Sequence, residues 1–313
     1  ILGAVQGLAE FLPISSKGHL ALTQQLFDRF VYQRPTRGED NLFFAVMLHV
    51  GTCLAILFHY RAALKVGLKG LAGSPLVASE YRRQALLRLA VLATLATLPA
   101  VIVGLLFKSQ VEQAFTSATA TALGFLFTAA VLWVIERVGA IRKEDGYGPS
   151  RTTALMALGV GAAQSLALMP GVSRSGMTIA AALLVGMSRS WAVGFSLLIS
   201  VPVIAGAMAK ELIDHADKLD SGNLGPTLLG SLVALVVGYL AIIWLVRIVR
   251  ARKLWWCSIY LVGLATAVLA FQALGIAPDP RGASSPDEPR SRVESPSASP
   301  SPSAAPKSAS SQG

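Results

Sequence analysis

Long apolar runs dominate this chain, and six of them are about as long as a membrane is thick. They cover residues 42–60, 86–107, 116–136, 190–209, 226–248 and 255–275. A helix of about 20 predominantly apolar residues crosses the hydrocarbon core of a bilayer, which is about 30 Å thick. The pattern therefore predicts six full transmembrane helices.

The apolar pattern stops near residue 276. Residues 277–313 are rich in Pro, Ser and Ala, and such a segment cannot bury enough apolar surface to offset the entropy cost of ordering it. We therefore predict an integral membrane domain over residues 1–276 and a disordered tail over residues 277–313. The chain begins at Ile1 without a Met, so we expect further residues upstream.

Composition agrees with a membrane protein, because 53% of the residues are hydrophobic and 14% are charged, against about 25% charged in a typical soluble domain. The net charge of +10 has to be interpreted by position, since Lys and Arg accumulate in cytoplasmic loops. We therefore expect membrane lipids and no nucleic acid as partners. Cys53 and Cys257 lie inside apolar runs, which favours small buried hydrophobic side chains over a disulfide or a metal site.

Charges in the connecting segments predict the orientation of the spans. Residues 61–85, 137–151 and 247–253 are rich in Lys and Arg and should face the cytoplasm. Residues 210–220 are mainly acidic and residues 108–115 are nearly neutral, so we place both segments outside. With these loops fixed, six spans do not account for all of the apolar sequence.

The remaining apolar sequence is predicted to form two re-entrant helix-loop-helix hairpins. Residues 152–188 must enter the membrane from the cytoplasm and return to it, because the spans on either side both meet that face. By the same reasoning, residues 1–41 begin and end outside, so the opening stretch enters from the opposite face. Non-helical backbone at membrane depth persists only where it is buried in protein or lines a wet cavity, so both hairpin tips should line one.

The two hairpins also resemble each other in sequence. With an offset of 158 residues, seven of the sixteen positions from Gly3 to Gly18 are identical. The matching pairs are Gly3 and Gly161, Ala4 and Ala162, Gln6 and Gln164, Leu8 and Leu166, Ala9 and Ala167, Ser15 and Ser173, and Gly18 and Gly176. This pattern predicts an all-α polytopic membrane protein built as an inverted-topology repeat, with halves of about 1–136 and 152–275, and a site where the interrupted helices meet.

Each hairpin tip carries residues that stop one helix and cap the next. In "EFLPISSKGHL" Pro13 should end the first helix, and Ser15 or Ser16 can cap the second. In "MPGVSRSGMT" the corresponding residues are Pro170, Gly171, Ser173 and Ser175. Helix N-termini present free N–H groups and partial positive charge, so two of them facing one cavity predict an anion site.

Arg174 strengthens the prediction of an anion site. An arginine inside a bilayer costs at least about 2.5 to 3.5 kcal/mol on insertion scales, so it usually serves a substrate or a buried partner. Its guanidinium matches a phosphate bidentately. The alternative is a structural salt bridge to Glu10, which is also compatible with a site that keeps this pair until substrate arrives.

Gln6 and Glu10 lie four residues apart and thus on one helix face, pointing toward the tip. A carboxylate beside an amide oxygen suits a hard divalent cation, and magnesium takes one or two carboxylates together with substrate phosphates. We therefore predict that Glu10 and Gln6 hold Mg²⁺, with Ca²⁺ as a second candidate. The alternative is a protonated Glu10 in a helix contact.

Ser16 and His19 lie three residues apart on the following helix, so the imidazole can reach the hydroxyl or the group that this hydroxyl binds. His19 could act as general base, general acid or nucleophile, and Ser16 as nucleophile or phosphate ligand. Singly, Ser16 would be read as a cap and His19 as a satisfied polar residue. Together with Glu10 they indicate catalysis. Trp255, Trp256 and Tyr260 follow a basic cluster, as in an interfacial aromatic belt.

These residues resemble two signatures of the bacterial undecaprenyl-diphosphate phosphatase family, which is associated with bacitracin resistance. The first signature is matched by Gln6, Glu10, Pro13, Ser15, Ser16, Gly18 and His19, and the second by Pro170, Gly171, Ser173, Arg174, Ser175 and Thr178. The likeness extends from residue 1 to about residue 275 and includes "FSLLISVPVIAGA", which begins at Phe195.

The resemblance implies hydrolysis of undecaprenyl diphosphate to the monophosphate, which recycles the lipid carrier for cell-wall synthesis. It also implies a divalent metal, a site open to the outer face of the plasma membrane, and an Arg174 that grips the diphosphate. Ser15, Ser173, Ser175 and Thr178 would join it in binding substrate. The catalytic residues would be Glu10, Ser16, His19 and Arg174 itself. Without the resemblance, the residues predict only a polar membrane site that binds an anion. A lipid-phosphate or anion transporter or flippase therefore stays an alternative.

Overall fold

The computed structural model describes residues 1–27, 42–74, 78–115, 117–139, 146–214 and 224–274. The tail predicted over 277–313 and the acidic segment 215–220 lie outside these residues. Apart from one isolated bridge between Tyr147 and Met187, the described residues are helices, turns and loops. The α-helices are α1 (Leu2–Phe11), α2 (Ser16–Phe27), α3 (Leu42–His59), α4 (Arg61–Leu71), α5 (Arg83–Leu106), α6 (Lys108–Phe115), α7 (Ala118–Gly139), α8 (Ala154–Leu166), α9 (Arg174–Leu184), α10 (Arg189–Asp214), α11 (Leu224–Arg250) and α12 (Trp255–Ala273).

Five of these helices, α5, α7, α10, α11 and α12, are long and apolar enough to cross a membrane, and the bent pair of α3 and α4 gives a sixth candidate. This count confirms the prediction of a polytopic helical protein with about six spans. Helices α3 and α4 meet at a bend of 72°. The sequence reading of residues 61–85 as a basic loop missed α4, which occupies its first eleven residues.

Both predicted hairpins are present as helix-loop-helix units, α1 with α2 and α8 with α9. Helix α1 ends at Phe11, two residues before Pro13, and α2 begins at Ser16. In the second hairpin Ser173 caps α9 by accepting a hydrogen bond from the Gly176 N–H. Proline therefore stops the first helix and serine starts the second, as the sequence indicates.

Each hairpin packs on a span from the opposite half of the chain. Helix α1 lies along α11, and α8 lies along α5. A Cβ added to Gly3 would overlap the backbone carbonyl of Gly230, and one added to Gly161 would overlap that of Ala96. Gly3 and Gly161 are partners at the offset of 158, so the two hairpins pack on their spans through equivalent glycine contacts. The repeat boundaries themselves, 1–136 and 152–275, stay a prediction.

The large buried cluster forms where these seams meet the central helices. Its fully buried members include Phe11 from the first hairpin, Phe125 and Leu132 from α7, Leu245 from α11 and Leu261 from α12. Leu12 and Ile14 of the first tip belong to the same cluster, and Glu10 directly precedes Phe11. The hydrophobic packing thereby positions the polar tip.

A buried ion pair joins α7, α10 and the turn between α11 and α12. Arg189 contacts Glu136 at 3.2 Å and donates to the Val249 carbonyl at 3.0 Å, while Glu136 accepts from the Leu254 N–H at 3.1 Å. Neither charged side chain is a predicted site residue. Their contacts fix the end of the bundle where α11 turns into α12.

We expect Glu136→Ala to destabilise the protein by about 3 kcal/mol, because it leaves the charge of Arg189 buried without its partner. The free energy of unfolding in detergent measures this loss. Glu136→Gln is the control, since it keeps an acceptor for the Leu254 N–H and should lose less. Equal stability of the alanine variant and the original chain would show that this pair does not hold the turn.

Candidate active site

The two hairpin tips converge, and the contact between them is an ion pair. Arg174 Nη2 lies 2.6 Å from Glu10 Oε1, although 164 residues separate them. Both side chains are largely buried, with 18% of the arginine side chain and 6% of the glutamate side chain exposed. The salt bridge that the sequence offered as an alternative is therefore present, at the predicted meeting point of the interrupted helices.

Glu10 accepts from two further side chains on its second oxygen. Ser16 Oγ donates to Oε2 at 2.7 Å, and Gln6 Nε2 donates to the same atom at 3.0 Å. Three donors, one of them a guanidinium, suit an ionised carboxylate and argue against the protonated alternative. Ser16 and Arg174 are partners at the offset of 158, so equivalent positions of the two hairpins each bind one oxygen of Glu10.

Two buried polar atoms beside this carboxylate have no hydrogen-bond partner among the described residues. One is Arg174 Nη1, a donor, and the other is Gln6 Oε1, an acceptor. Buried polar groups are nearly always paired in native proteins, so such exceptions call for an explanation. An unused guanidinium N–H matches an anionic ligand, and an unused amide oxygen matches a cation.

The residues of this site fit a divalent cation only if other ligands complete the coordination. Gln6 Oε1 has a free lone pair and lies beside Glu10, so the protein can supply two oxygen ligands. Among the described residues no group of three or more His, Cys, Asp or Glu side chains could hold a metal. This composition suits magnesium, which keeps waters and substrate phosphates in its shell.

The second tip is held by hydroxyl groups. Ser175 Oγ donates to the Leu12 carbonyl of the first tip at 3.1 Å, and it lies 3.2 Å from Ser173 Oγ. The Ser173 N–H donates to Thr128 Oγ1 of α7 at 3.1 Å. These bonds lock the two tips to each other and to α7. Thr128 was not predicted from the sequence, because a lone threonine in an apolar span carries no local signal.

Thr178 also bonds within the protein. Its Oγ1 donates to the Arg174 carbonyl at 2.9 Å and lies 2.6 Å from Ser196 Oγ on α10. Like Ser15, Ser173 and Ser175 it is buried. The structure therefore places all four predicted substrate-binding hydroxyl residues at the tips, and contact with substrate stays a prediction for each of them.

His19 lies one turn further along α2 and does not bond to Ser16 in the structure. Its Nδ1 lies 2.8 Å from the Ser15 carbonyl oxygen, and its Nε2 lies 2.7 Å from the hydroxyl of Tyr260. The Tyr260 ring stacks on the imidazole with centroids 5.6 Å apart, and Phe125 meets it edge-on. The expected approach of the imidazole to the Ser16 hydroxyl is therefore replaced by two other contacts.

These contacts assign the proton on the imidazole. A carbonyl oxygen only accepts, so Nδ1 carries the hydrogen, and the neutral ring presents a lone pair at Nε2 to the Tyr260 hydroxyl. The sequence indicated only an aromatic belt for Tyr260. Its contact with a residue 241 positions away arises because α2 and α12 both pack beside α7, which periodicity within one helix cannot reveal.

Comparison with known proteins gives a consistent result over most of the chain. Residues 1–267 match the family model described as bacitracin resistance protein BacA. The chain is 36% identical over 278 residues to an undecaprenyl-diphosphatase of Carboxydothermus hydrogenoformans, which covers 88% of this chain and 97% of that protein. It is 40% identical over 262 residues to one of Desulfosudis oleivorans, covering 81% of this chain and 90% of that protein. These names do not favour the transporter alternative.

Proposed function

Because the chain belongs to the bacitracin resistance protein BacA family, we propose that it hydrolyses undecaprenyl diphosphate to undecaprenyl phosphate and inorganic phosphate. Membership also confirms the resemblance inferred from the two signatures. The reaction would return the lipid carrier to cell-wall synthesis. The observation that carries the proposal is Arg174, a largely buried guanidinium whose Nη1 has no partner among the described residues where the two hairpin tips meet.

The site favours a diphosphate head group on a lipid. Arg174 offers an unused N–H, and the N-termini of α2 and α9 add partial positive charge. The exposed surfaces of the spans are apolar, so the prenyl chain can remain in the bilayer while the head enters between the tips. We place the protein in the plasma membrane of a bacterium with the site open to its outer face, in keeping with the positions of the basic loops.

Ser16 is the nucleophile that the geometry favours, since its hydroxyl already donates to Glu10 Oε2 at 2.7 Å. As Oγ attacks the terminal phosphorus, Glu10 accepts the proton and the lipid monophosphate leaves. Arg174 neutralises the non-bridging oxygens of the phosphoryl group, since phosphoryl transfer depends mainly on positioning and charge stabilisation.

A water then attacks the phosphoserine, inorganic phosphate is released, and Ser16 Oγ takes back its proton from Glu10. The proton of the water passes to the Tyr260 hydroxyl, whose own proton moves to His19 Nε2, so His19 serves as the base through that hydroxyl. A divalent ion held by Glu10 and Gln6 would offset phosphate charge when bound.

The proposal is tested by phosphate release from undecaprenyl diphosphate by the purified full chain, with and without a chelator. We expect release that the chelator suppresses and added magnesium restores. Glu10→Ala, Ser16→Ala and His19→Ala should each lose almost all activity. Ser165→Ala is the matched control, because Ser165 Oγ donates to the Gly161 carbonyl within its own helix. Undiminished release by Glu10→Ala would exclude this site as the catalytic one.

Tyr260 acts through His19 in this mechanism, because its hydroxyl lies 2.7 Å from His19 Nε2. We expect Tyr260→Phe to lower kcat about tenfold while leaving KM unchanged, since the ring stack remains and only the bond to the base is lost; a whole general base contributes about 100-fold or more. Steady-state phosphate release measures both constants.

A double variant separates this role from a structural one. Adding Tyr260→Phe to His19→Ala should cost nothing further, because the hydroxyl acts through the imidazole. Tyr239→Phe, a tyrosine that packs against His59 elsewhere in the bundle, should leave kcat intact. If Tyr260→Phe lowered kcat by the same factor in the original chain and in His19→Ala, the proposed coupling of Tyr260 to His19 would be contradicted.

A further inference from the structure

Helix α4 is shorter than the candidate membrane spans and differs from them in both direction and composition. It follows α3 at Tyr60 and is bent from it by 72°. Three of its eleven residues, Arg61, Lys65 and Lys69, are basic and exposed. Their spacing of four residues places them in one stripe along the helix.

A second stripe beside the basic one consists of exposed leucines. Leu64, Leu68 and Leu71 have 43%, 65% and 47% of their surfaces exposed. The opposite side of the helix is closed, because Gly67 and Gly70 are buried. Helix α4 is thus attached to the bundle by its glycine side and presents leucines and cations outward, side by side.

This arrangement is that of a helix lying in a membrane interface. An amphipathic helix with Lys or Arg on one face and Leu on the other inserts its apolar face at the boundary of head groups and acyl chains. Reading α4 as the second half of a broken span would place three cations within eleven residues of hydrocarbon, which is costly. A bend of 72° from a membrane-crossing α3 turns α4 close to the membrane plane instead.

We propose that α4 binds the head groups of anionic phospholipids in the leaflet that it meets. Lys65 and Lys69 have no ion-pair or hydrogen-bond partner within the described part of the chain, so both ammonium groups are available. Arg82 and Arg83, at the start of α5, are exposed as well, and α5 packs against α4. Helix α4 and the start of α5 thus carry five exposed cations, a charge that is complementary to acidic lipid; Arg61 also donates to the Phe58 carbonyl at 2.9 Å. The leucine stripe, inserted beside the head groups, holds the cations of α4 at the depth of the phosphates.

The interaction with anionic lipid is tested on the purified full chain in neutral detergent. We expect phosphatidylglycerol, but not phosphatidylcholine, to raise the melting temperature, since a ligand that binds only the folded state stabilises it. Lys65→Gln with Lys69→Gln should lose at least half of this rise, whereas Lys65→Arg with Lys69→Arg should keep it. High salt should weaken the effect, because exposed charges are screened.

A charge-matched control and a depth measurement complete the test. Arg250→Gln with Lys253→Gln removes the same charge from another basic turn and should leave most of the rise intact. In vesicles containing phosphatidylglycerol, a fluorophore on Leu68→Cys, with Cys53 and Cys257 replaced by Ala, should be quenched by lipids that carry a quencher high on the acyl chain. An equal rise for the Lys→Gln variant and the original chain, or a fluorophore that only aqueous quenchers reach, would overturn the proposal.

Discussion

Replacing Arg174 with lysine should lower kcat/KM for the lipid diphosphate by about 100-fold, comparable to the loss of one preorganised donor in other active sites. The loss follows from the shape of the side chain, because lysine keeps the positive charge of arginine but not its planar guanidinium. Arg174 uses Nη2 to bind Glu10 at 2.6 Å while Nη1 stays free, and a lysine ammonium cannot serve both directions with the same planar geometry. Phosphate release at several substrate concentrations measures the effect.

Arg137→Lys is the control for this experiment, because Arg137 stacks on Trp133 at 5.0 Å and bears no relation to the tips. Its kinetic constants should match those of the original chain. The melting temperature of Arg174→Lys should fall only slightly, since lysine can still pair with Glu10. If the lysine variant turned over at the original rate, the proposal that Arg174 binds Glu10 through Nη2 and the phosphate through Nη1 would have to be abandoned.

Gly171→Ala should destabilise the protein by at least about 3 kcal/mol, and it is the largest stability effect that we expect. Gly171 has φ +77°, a left-handed conformation that costs a side-chain-bearing residue about 1 to 3 kcal/mol. An added Cβ would also overlap the Thr121 carbonyl of α7. Backbone cannot move aside as a flexible side chain can, so α7 and the second tip would have to separate. Unfolding by denaturant in detergent measures the loss.

Gly263→Ala provides the contrast, because nothing lies within 4 Å of a Cβ added there. It sits inside α12, where alanine is favoured over glycine by up to about 1 kcal/mol, so we expect no loss of stability. Similar stabilities of the Gly171 and Gly263 variants would show that the close contact between α7 and the second tip is dispensable.

The sequence was most informative where one residue type has one physical consequence. Runs of about 20 apolar residues predicted the spans, since a helix of that length satisfies its backbone hydrogen bonds internally while it crosses the hydrocarbon. Pro13 and Ser173 predicted where helices stop and start. Charge in the loops, combined with the need to close the topology, predicted the two hairpins. A salt bridge between Glu10 and Arg174 was the alternative to a substrate role for the arginine, because an isolated charge at this depth would be costly.

Contacts between distant segments could not be predicted from the pattern of apolar and charged residues. The offset of 158 related Gly3 to Gly161, but it could not reveal that each hairpin packs on a span from the other half. Tyr260 was assigned to a lipid interface because its neighbours are tryptophans, whereas its hydroxyl bonds to His19. Helix α4 was overlooked because three cations in eleven residues resemble a loop when only their charge is counted.

The packing of α1 along α11 has a consequence for how the protein is made. Gly3 and Gly230 meet in that seam, so the first hairpin leaves the ribosome long before the surface it packs against has been synthesised. Glu10 must likewise wait for Arg174, whose guanidinium binds its Oε1. We infer that the nascent hairpin is either shielded by the insertion machinery or inserted late. Ribosome-bound chains truncated before α11 should therefore leave this hairpin open to proteases that the finished protein resists.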